Sequence, residues 1–135
     1  MTPLVLKRAA AALLATALSN AALSPALANI KDYEFRLVQT EVKKGNGAII
    51  SVRLIDKRSG HTVSNAVIFA TRVDMAPDGM PTMTAPIEAL PSIEPGTYRF
   101  KADLTAAGGW QLSLAAKIQG ESGTLENKLV FNVLR

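Results

Sequence analysis

The chain contains no cysteine and a single histidine, His61. Disulfide bonds therefore cannot stabilise the fold, and the sequence offers neither a cysteine nucleophile nor a cysteine- or histidine-rich metal centre. No histidine accompanies a serine and an acidic residue in a recognisable catalytic motif, and no glycine-rich loop is of the kind that cradles phosphate. These absences predict a protein that is not an enzyme and whose fold depends on its hydrophobic core alone.

A strong charge of either sign is also lacking, since 15 basic residues face 11 acidic ones. Two of the basic residues, Lys7 and Arg8, belong to the N-terminal segment, and the remaining 13 are scattered. The densest clusters are only the pairs at 43–44 and 57–58. Nucleic-acid binding proteins concentrate such residues on one face or along one helix, so the sequence argues against a nucleic-acid partner.

The first 28 residues have the pattern of a secretory signal peptide. Two basic residues precede an apolar run from Ala9 to about Leu23, and Ala26-Leu27-Ala28 supplies the small residues of a cleavage site. We therefore predict that residues 1–28 are removed and that residues 29–135 form one periplasmic domain. The alternative is an uncleaved membrane anchor, but polar residues and a proline interrupt the run, which is short for a span of about 20 residues.

Most of the remaining chain shows the two-residue periodicity of half-buried β-strands, and helical periodicity is lacking. The predicted strands cover about residues 33–42, 48–56, 65–73, 98–104, 110–118 and 125–134. Turn-forming residues separate them, including a tight hairpin turn at 45–47, and Trp110 is the natural core anchor. The pattern is typical of an immunoglobulin-like antiparallel β-sandwich of about seven strands.

Two stretches depart from simple alternation. Residues 65–73 are apolar on both faces, which predicts a central strand. Residues 75–95 contain five prolines, and because proline cannot donate to a strand ladder, this part is expected to be loop with about one brief edge strand. Met75, Met80 and Met83 lie at its beginning and are all of the methionines besides the initiator.

Several short signals together resemble the YtkA-like or FixH-like domain family. They are Asp56-Lys57-Arg58-Ser59-Gly60, Val63-Ser64-Asn65-Ala66-Val67, the methionine segment, Pro95-Gly96-Thr97-Tyr98 and Ala107-Gly108-Gly109-Trp110. The resemblance implies an immunoglobulin-like domain in the bacterial periplasm or at the cell surface, often associated with heavy-metal efflux or with copper delivery to respiratory oxidases. FixH-like members carry an N-terminal membrane anchor, and Ala26-Leu27-Ala28 departs from that pattern.

The methionines suggest a chemistry of their own, because thioether sulfur is a soft, uncharged ligand that suits Cu(I) or Ag(I). Prolines and an Asp-Gly turn signal in the segment would let Met75, Met80 and Met83 converge on one ion. His61 is the candidate fourth ligand, provided that the fold brings its turn to the methionine segment. Asp74 and Asp78 supply too few oxygens for a calcium site, and Asp78 is better interpreted as a turn former.

Two other interpretations of the methionines stay open. Methionine is a flexible hydrophobe that fills irregular gaps in a core, and it also forms adaptable docking surfaces. Together with the family resemblance, the methionines predict a periplasmic accessory protein that binds Cu(I) or Ag(I) transiently. The resemblance implies that the ion passes to a protein of a metal efflux or oxidase-assembly system. The alternative is a metal-independent adaptor module for a membrane transport or oxidase-assembly complex.

Overall fold

The computed structural model describes residues 29–135. The alternating segments of the sequence form nine β-strands there. The strands are β1 Tyr33–Leu37, β2 Glu41–Lys43, β3 Gly45–Asp56, β4 Ala66–Met75, β5 Met80–Ala85, β6 Ile87–Leu90, β7 Thr97–Leu104, β8 Gly108–Ile118 and β9 Leu125–Leu134. Short 3-10 helices occupy Ile30–Asp32 and Ala76–Asp78. The predicted signal peptide, residues 1–28, lies outside the described residues.

The strands form two sheets that pack face to face. One sheet has the order β1-β3-β7-β6 and the other has the order β2-β9-β8-β4-β5. All neighbouring strands are antiparallel except β2 and β9, which are parallel. The predicted immunoglobulin-like sandwich is therefore confirmed. Within residues 29–135, no helix is long and apolar enough to cross a bilayer.

The number of strands exceeds the expected seven because two predicted segments divide. The segment 33–42 forms β1 and β2, and these pair in different sheets, β1 with β3 and β2 with β9. The chain crosses between the sheets near Thr40, whose carbonyl accepts a hydrogen bond from Asn132 N–H at 2.8 Å. The proline-rich segment holds two short strands, β5 and β6, which also belong to different sheets.

The prediction of a hairpin turn at 45–47 is wrong. These residues begin the long strand β3, and the register of β3 against β7 shifts between Gly45 and Ala48, which is the signature of a β-bulge. Gly47 adopts a φ of 73°, and its N–H donates to a carboxylate oxygen of Asp103 at 2.9 Å. Positive-φ glycines serve bulges as well as turns, so the same sequence signal fits both structures.

The core between the sheets is formed by the residues whose side chains alternate inward. It contains Tyr33, Phe35, Val42, Ile50, Val52, Leu54, Val73, Met75, Phe100, Ala102, Leu104, Trp110, Leu112, Leu114, Ala116, Ile118, Leu125, Phe131 and Val133. Trp110 is the largest of these side chains, and its ring N–H donates to the carbonyl of Ala106 at 2.9 Å. Apolar burial of this kind stabilises the sandwich in place of a disulfide.

Tyr33 connects the two sheets at the turn between β8 and β9. The hydroxyl of this β1 residue donates to a carboxylate oxygen of Glu121, in the β8–β9 turn, at 2.6 Å. The hydrogen bond to Glu121, together with burial and the negative charge of Glu121, raises the pKa of Tyr33 from its ordinary value of 10.0 to about 12. The contact thus favours the protonated phenol in the folded state.

Replacing Trp110 with alanine is expected to lower the free energy of unfolding by about 3–5 kcal/mol, because the change leaves a large cavity between the sheets. The matched control is Val130→Ala, since Val130 is exposed on β9 and its loss should cost about 0.5 kcal/mol or less. Urea unfolding followed by circular dichroism measures both. Equal costs for the two variants would contradict the assigned core.

The Tyr33–Glu121 contact predicts a loss of stability at alkaline pH. Because folding raises the pKa of Tyr33, its contribution is fully present below pH 10.0 and is lost as the pH rises toward about 12. In Glu121→Gln this alkaline loss should shrink, and the tyrosine pKa should fall toward its ordinary value. Ultraviolet titration of tyrosinate tests this, with Tyr33→Phe identifying the signal of Tyr98. An unchanged titration in Glu121→Gln would refute the contact.

Candidate functional site

Residues 74–83, here called the methionine hairpin, join the end of β4 to β5. Met75 ends β4 and Met80 begins β5, and the two are partners across the ladder. The 3-10 helix Ala76–Asp78 makes the reversal, with a proline in its first turn that fixes the backbone. Gly79 closes it in the left-handed region at φ 77°, and its N–H donates to Ala76 O at 2.8 Å. The hairpin is therefore an ordered turn between paired strands.

The carboxylate of Asp74 holds the start of the hairpin. Asp74 is only 4% exposed and is the sole buried charged residue within 29–135. One of its oxygens accepts from Ala76 N–H at 2.9 Å, and the other pairs with Arg72 Nε at 3.0 Å. Arg72 also donates to the carbonyl of Pro81 at 2.7 Å. Because a buried carboxylate is stable only when its oxygens are satisfied, this network fixes both arms of the hairpin together.

Asp78 fastens the tip of the hairpin to β8. Its carboxylate accepts from Gly109 N–H at 3.0 Å. A side chain at Gly109 would place its Cβ 2.9 Å from an Asp78 oxygen and 3.0 Å from Pro77 Cβ, and one at Gly108 would collide with Asp78 as well. The Gly108–Gly109 pair at the start of β8 thus forms the surface, free of side chains, against which the hairpin tip packs.

Met75 lies in the core. It is 2% exposed and belongs to the buried cluster between the sheets. A Cβ added at Gly108 would meet the terminal methyl group of Met75 at 3.0 Å, which places this methyl group against the start of β8. Of the three interpretations of the methionines, core packing therefore accounts for Met75.

Met80 and Met83 are placed differently. Their exposed fractions are 42% and 41%, and neither belongs to the core cluster. Methionine is among the residue types most often buried, so two exposed methionines on one short strand are not explained by gap filling. The remaining interpretations for this pair are a soft-metal site and a docking surface.

The structure does not bring His61 to the methionines. The histidine is exposed in the turn between β3 and β4, where its carbonyl accepts from Asp56 N–H at 2.9 Å. The methionine hairpin follows the opposite end of β4. A ten-residue strand separates its two ends by roughly 30 Å. His61 is thus out of reach of a site built on Met80 and Met83.

Hard-ion chemistry finds no support at the hairpin. Asp74 and Asp78 are engaged in the hydrogen bonds that shape it. Within residues 29–135, no group of three or more histidine, cysteine, aspartate or glutamate side chains is arranged to hold a metal ion. The exposed thioethers of Met80 and Met83 are therefore the soft donors that the hairpin offers.

Sequence reasoning missed the residues that support the hairpin. Arg72, Gly108 and Gly109 position it without contributing a ligand. The available signals were an arginine two residues before an aspartate on one strand and a glycine pair beginning another strand. Neither signal reveals its partner, because Arg72 reaches across the hairpin to the carbonyl of Pro81 and Gly109 contacts Asp78, 31 residues away.

Comparison with known proteins gives one family. The family model described as YtkA-like matches residues 27–115. Among solved structures, the Lin-41 filamin domain is 18% identical with a TM-score of 0.44, the match covering 77% of this chain and 93% of that chain. The ZirS C-terminal domain is 13% identical with a TM-score of 0.45, the match covering 100% and 88%. A search of curated protein sequences gave no match.

The family model covers well over half of the chain and includes the methionine hairpin, the bulged strand β3 and the Gly108–Gly109 surface. The chain belongs to the YtkA-like family.

Proposed function

We propose that the protein is a periplasmic, non-catalytic accessory protein of copper or silver handling. It captures Cu(I) or Ag(I) transiently through the thioethers of Met80 and Met83 and passes the ion to a partner protein. The observation that carries the proposal is the exposure of these two methionines on a hairpin that is itself firmly anchored. The ion is cargo in this function and not a resident cofactor.

The donor chemistry suits capture and release. Thioethers are soft ligands that prefer Cu(I) and Ag(I) over zinc, magnesium or calcium. They carry no charge and bind no proton near neutral pH, so uptake of the ion requires no deprotonation. Exposure of both sulfurs leaves room for a ligand from the partner, which is what exchange between two proteins needs. A closed cage of buried ligands would hold the ion instead of passing it on.

Met75 supports this site by packing in the core, and its sulfur is not one of the exposed donors. Complete burial of a methionine side chain stabilises a fold by about 1.5–3 kcal/mol, and that stabilisation would be lost if Met75 left the core to bind an ion. Met75 is the ladder partner of Met80, and this pairing fixes the position at which β5 begins. The predicted three-methionine site is therefore narrowed in this proposal to Met80 and Met83.

The proposed location and partner come from the sequence and the family. The signal-peptide pattern of residues 1–28 supports export to the periplasm, where a soft-metal carrier has access to efflux and oxidase-assembly systems. The expected partner is a periplasmic or membrane protein of such a system.

A second candidate function is a metal-independent adaptor for a membrane transport or oxidase-assembly complex. The observation that favours it is the edge of β4, which exposes Val67 and Phe69 away from the methionine hairpin. Exposed apolar side chains of this kind mark interaction sites.

The metal proposal predicts that Met80→Leu/Met83→Leu abolishes Cu(I) uptake. Leucine keeps the apolar volume but removes the sulfur, so stability should change by less than about 1.5 kcal/mol. Competition titration of the full-length protein with a colorimetric Cu(I) chelator, without oxygen, measures uptake. Met75→Leu is the matched control and should bind Cu(I) like the original protein. Equal uptake by the double variant, or loss of uptake in Met75→Leu alone, would contradict the exposed pair.

Gly109→Ala is expected to disturb the hairpin, since its Cβ would crowd Asp78 and Pro77. We expect a loss of about 1–3 kcal/mol in the free energy of unfolding, as for other overpacked sites. In an Asp78→Ala background the same substitution should cost less, because the crowded carboxylate is absent. Denaturant unfolding of the four proteins gives the coupling energy. Strict additivity of the two substitutions would show that the tip does not rest on β8.

A further inference from the structure

The methionine hairpin carries two exposed thioethers and one buried thioether. The exposed fractions of Met80 and Met83 are 42% and 41%, whereas that of Met75 is 2%. A buried side chain meets a reagent from the solvent only when the fold opens locally or globally. The folded hairpin therefore offers two methionine sulfurs to a solvent-borne reagent and keeps the third out of reach.

The register of the β4–β5 ladder explains the exposure of the two sulfurs. Asp74 pairs with Thr84. Met75, the next residue of β4, pairs with Met80, so residues 81–83 have no ladder partner on β4 and form a bulge. Every residue of β5 before its last is exposed. The third methionine of the hairpin thus lies in the bulge, and the second lies where the bulge begins.

Thioether sulfur is the group that a mild oxidant attacks first in this domain. Thiolates normally react faster, but the chain contains no cysteine. The single tryptophan, Trp110, is 1% exposed. Among residues 29–135, the thioethers of Met80 and Met83 are therefore the groups most open to a peroxide.

The reaction with hydrogen peroxide is a two-electron oxidation of sulfur. A sulfur lone pair attacks one oxygen of the peroxide, so that a sulfur–oxygen bond forms and the oxygen–oxygen bond breaks. The departing hydroxide takes the proton of the transferred hydroxyl group and leaves as water, and the thioether becomes a sulfoxide. The product is polar, and its sulfur is no longer a soft donor for Cu(I) or Ag(I).

The fold has different tolerances for a sulfoxide at the exposed and at the buried positions. A sulfoxide oxygen on Met80 or Met83 would be solvated, because both side chains reach the surface. The same oxygen on Met75 would lie among the apolar side chains of the core, where an unpaired polar atom is costly. Oxidation of the exposed pair alone is therefore compatible with an intact domain.

We propose that Met80 and Met83 form an oxidation switch, in which a peroxide converts both thioethers to sulfoxides and thereby blocks uptake of Cu(I) or Ag(I) while the domain stays folded. This regulation rests on the proposed function, since it acts through the same two sulfurs. Methionine sulfoxide reductases reverse it, with one enzyme for each sulfoxide epimer. A dithiol supplies the two electrons, becomes a disulfide, and the sulfoxide oxygen leaves as water.

The selectivity of oxidation is measured on the full-length protein with hydrogen peroxide. All three methionines lie on the tryptic peptide 73–99, in which fragmentation mass spectrometry assigns each added oxygen. We expect Met80 and Met83 to be oxidised at least about tenfold faster than Met75, because oxidation of Met75 requires opening of the fold. In urea-unfolded protein the three rates should converge. Comparable rates in the folded protein, or loss of the β-sheet circular dichroism once the exposed pair is oxidised, would overturn the proposal.

The effect on metal uptake is measured with Ag(I) after the peroxide has been removed. Ag(I) is chosen because Cu(I) reduces hydrogen peroxide. Protein oxidised at Met80 and Met83 should bind Ag(I) at least about tenfold more weakly than the unoxidised protein. Treatment with both reductases and a dithiol, followed by removal of the dithiol, should restore binding. Met75→Leu is the matched control and should lose and regain binding in the same way.

The two proposals fail in different ways. Equal Ag(I) binding before and after oxidation of Met80 and Met83 would refute the switch and leave the proposed function standing. Absence of Ag(I) binding by the unoxidised protein would refute the proposed function and the switch with it.

Discussion

The ladder between β4 and β5 spans only Val73, Asp74 and Met75, although β4 itself is ten residues long. The chain leaves this ladder at Pro86, which has no N–H to continue the pairing and whose carbonyl accepts from Asp103 N–H on β7 at 3.1 Å. β6 then completes the opposite sheet. Because the chain changes sheets so early, no strand within residues 29–135 pairs with the first seven residues of β4 on the side that faces away from β8. The same short ladder carries the methionine hairpin, whose position therefore depends on this crossing.

Such a short ladder needs other interactions to hold the hairpin in place. The carboxylates of Asp74 and Asp78 provide them, the first by joining Arg72 to the turn and the second by fastening the tip to Gly109. The cost of burying Asp74 is offset by these hydrogen bonds and by its ion pair. Met80 and Met83 are consequently presented on a preformed turn, and binding to a preformed site loses less conformational entropy than binding to a mobile loop.

Alternation in the sequence predicted which faces of β3, β7 and β8 are buried, because a two-residue period directly encodes one inward and one outward side. Alternation does not indicate which sheet a strand joins. It predicts a single strand over 33–42, whereas β1 and β2 pair in different sheets. The sequence also does not predict which methionines are buried. Met75 and Met80 flank the same turn and differ only in the strand to which they belong. Apolar residues on both faces of 65–73 predict a central strand. β4 does lie between β8 and β5, but β5 pairs only with its last three residues, and Val67 and Phe69 are exposed.

Arg72 links the two arms of the methionine hairpin. Its guanidinium donates both to Asp74 and to the carbonyl of Pro81, between the two exposed methionines in sequence. Arg72 thus holds the arm that carries Met80 and Met83 against the end of β4. Under the proposed function, transfer of Cu(I) requires ligands of two proteins to approach the same ion, and the exposure of Met80 and Met83 leaves room for that approach.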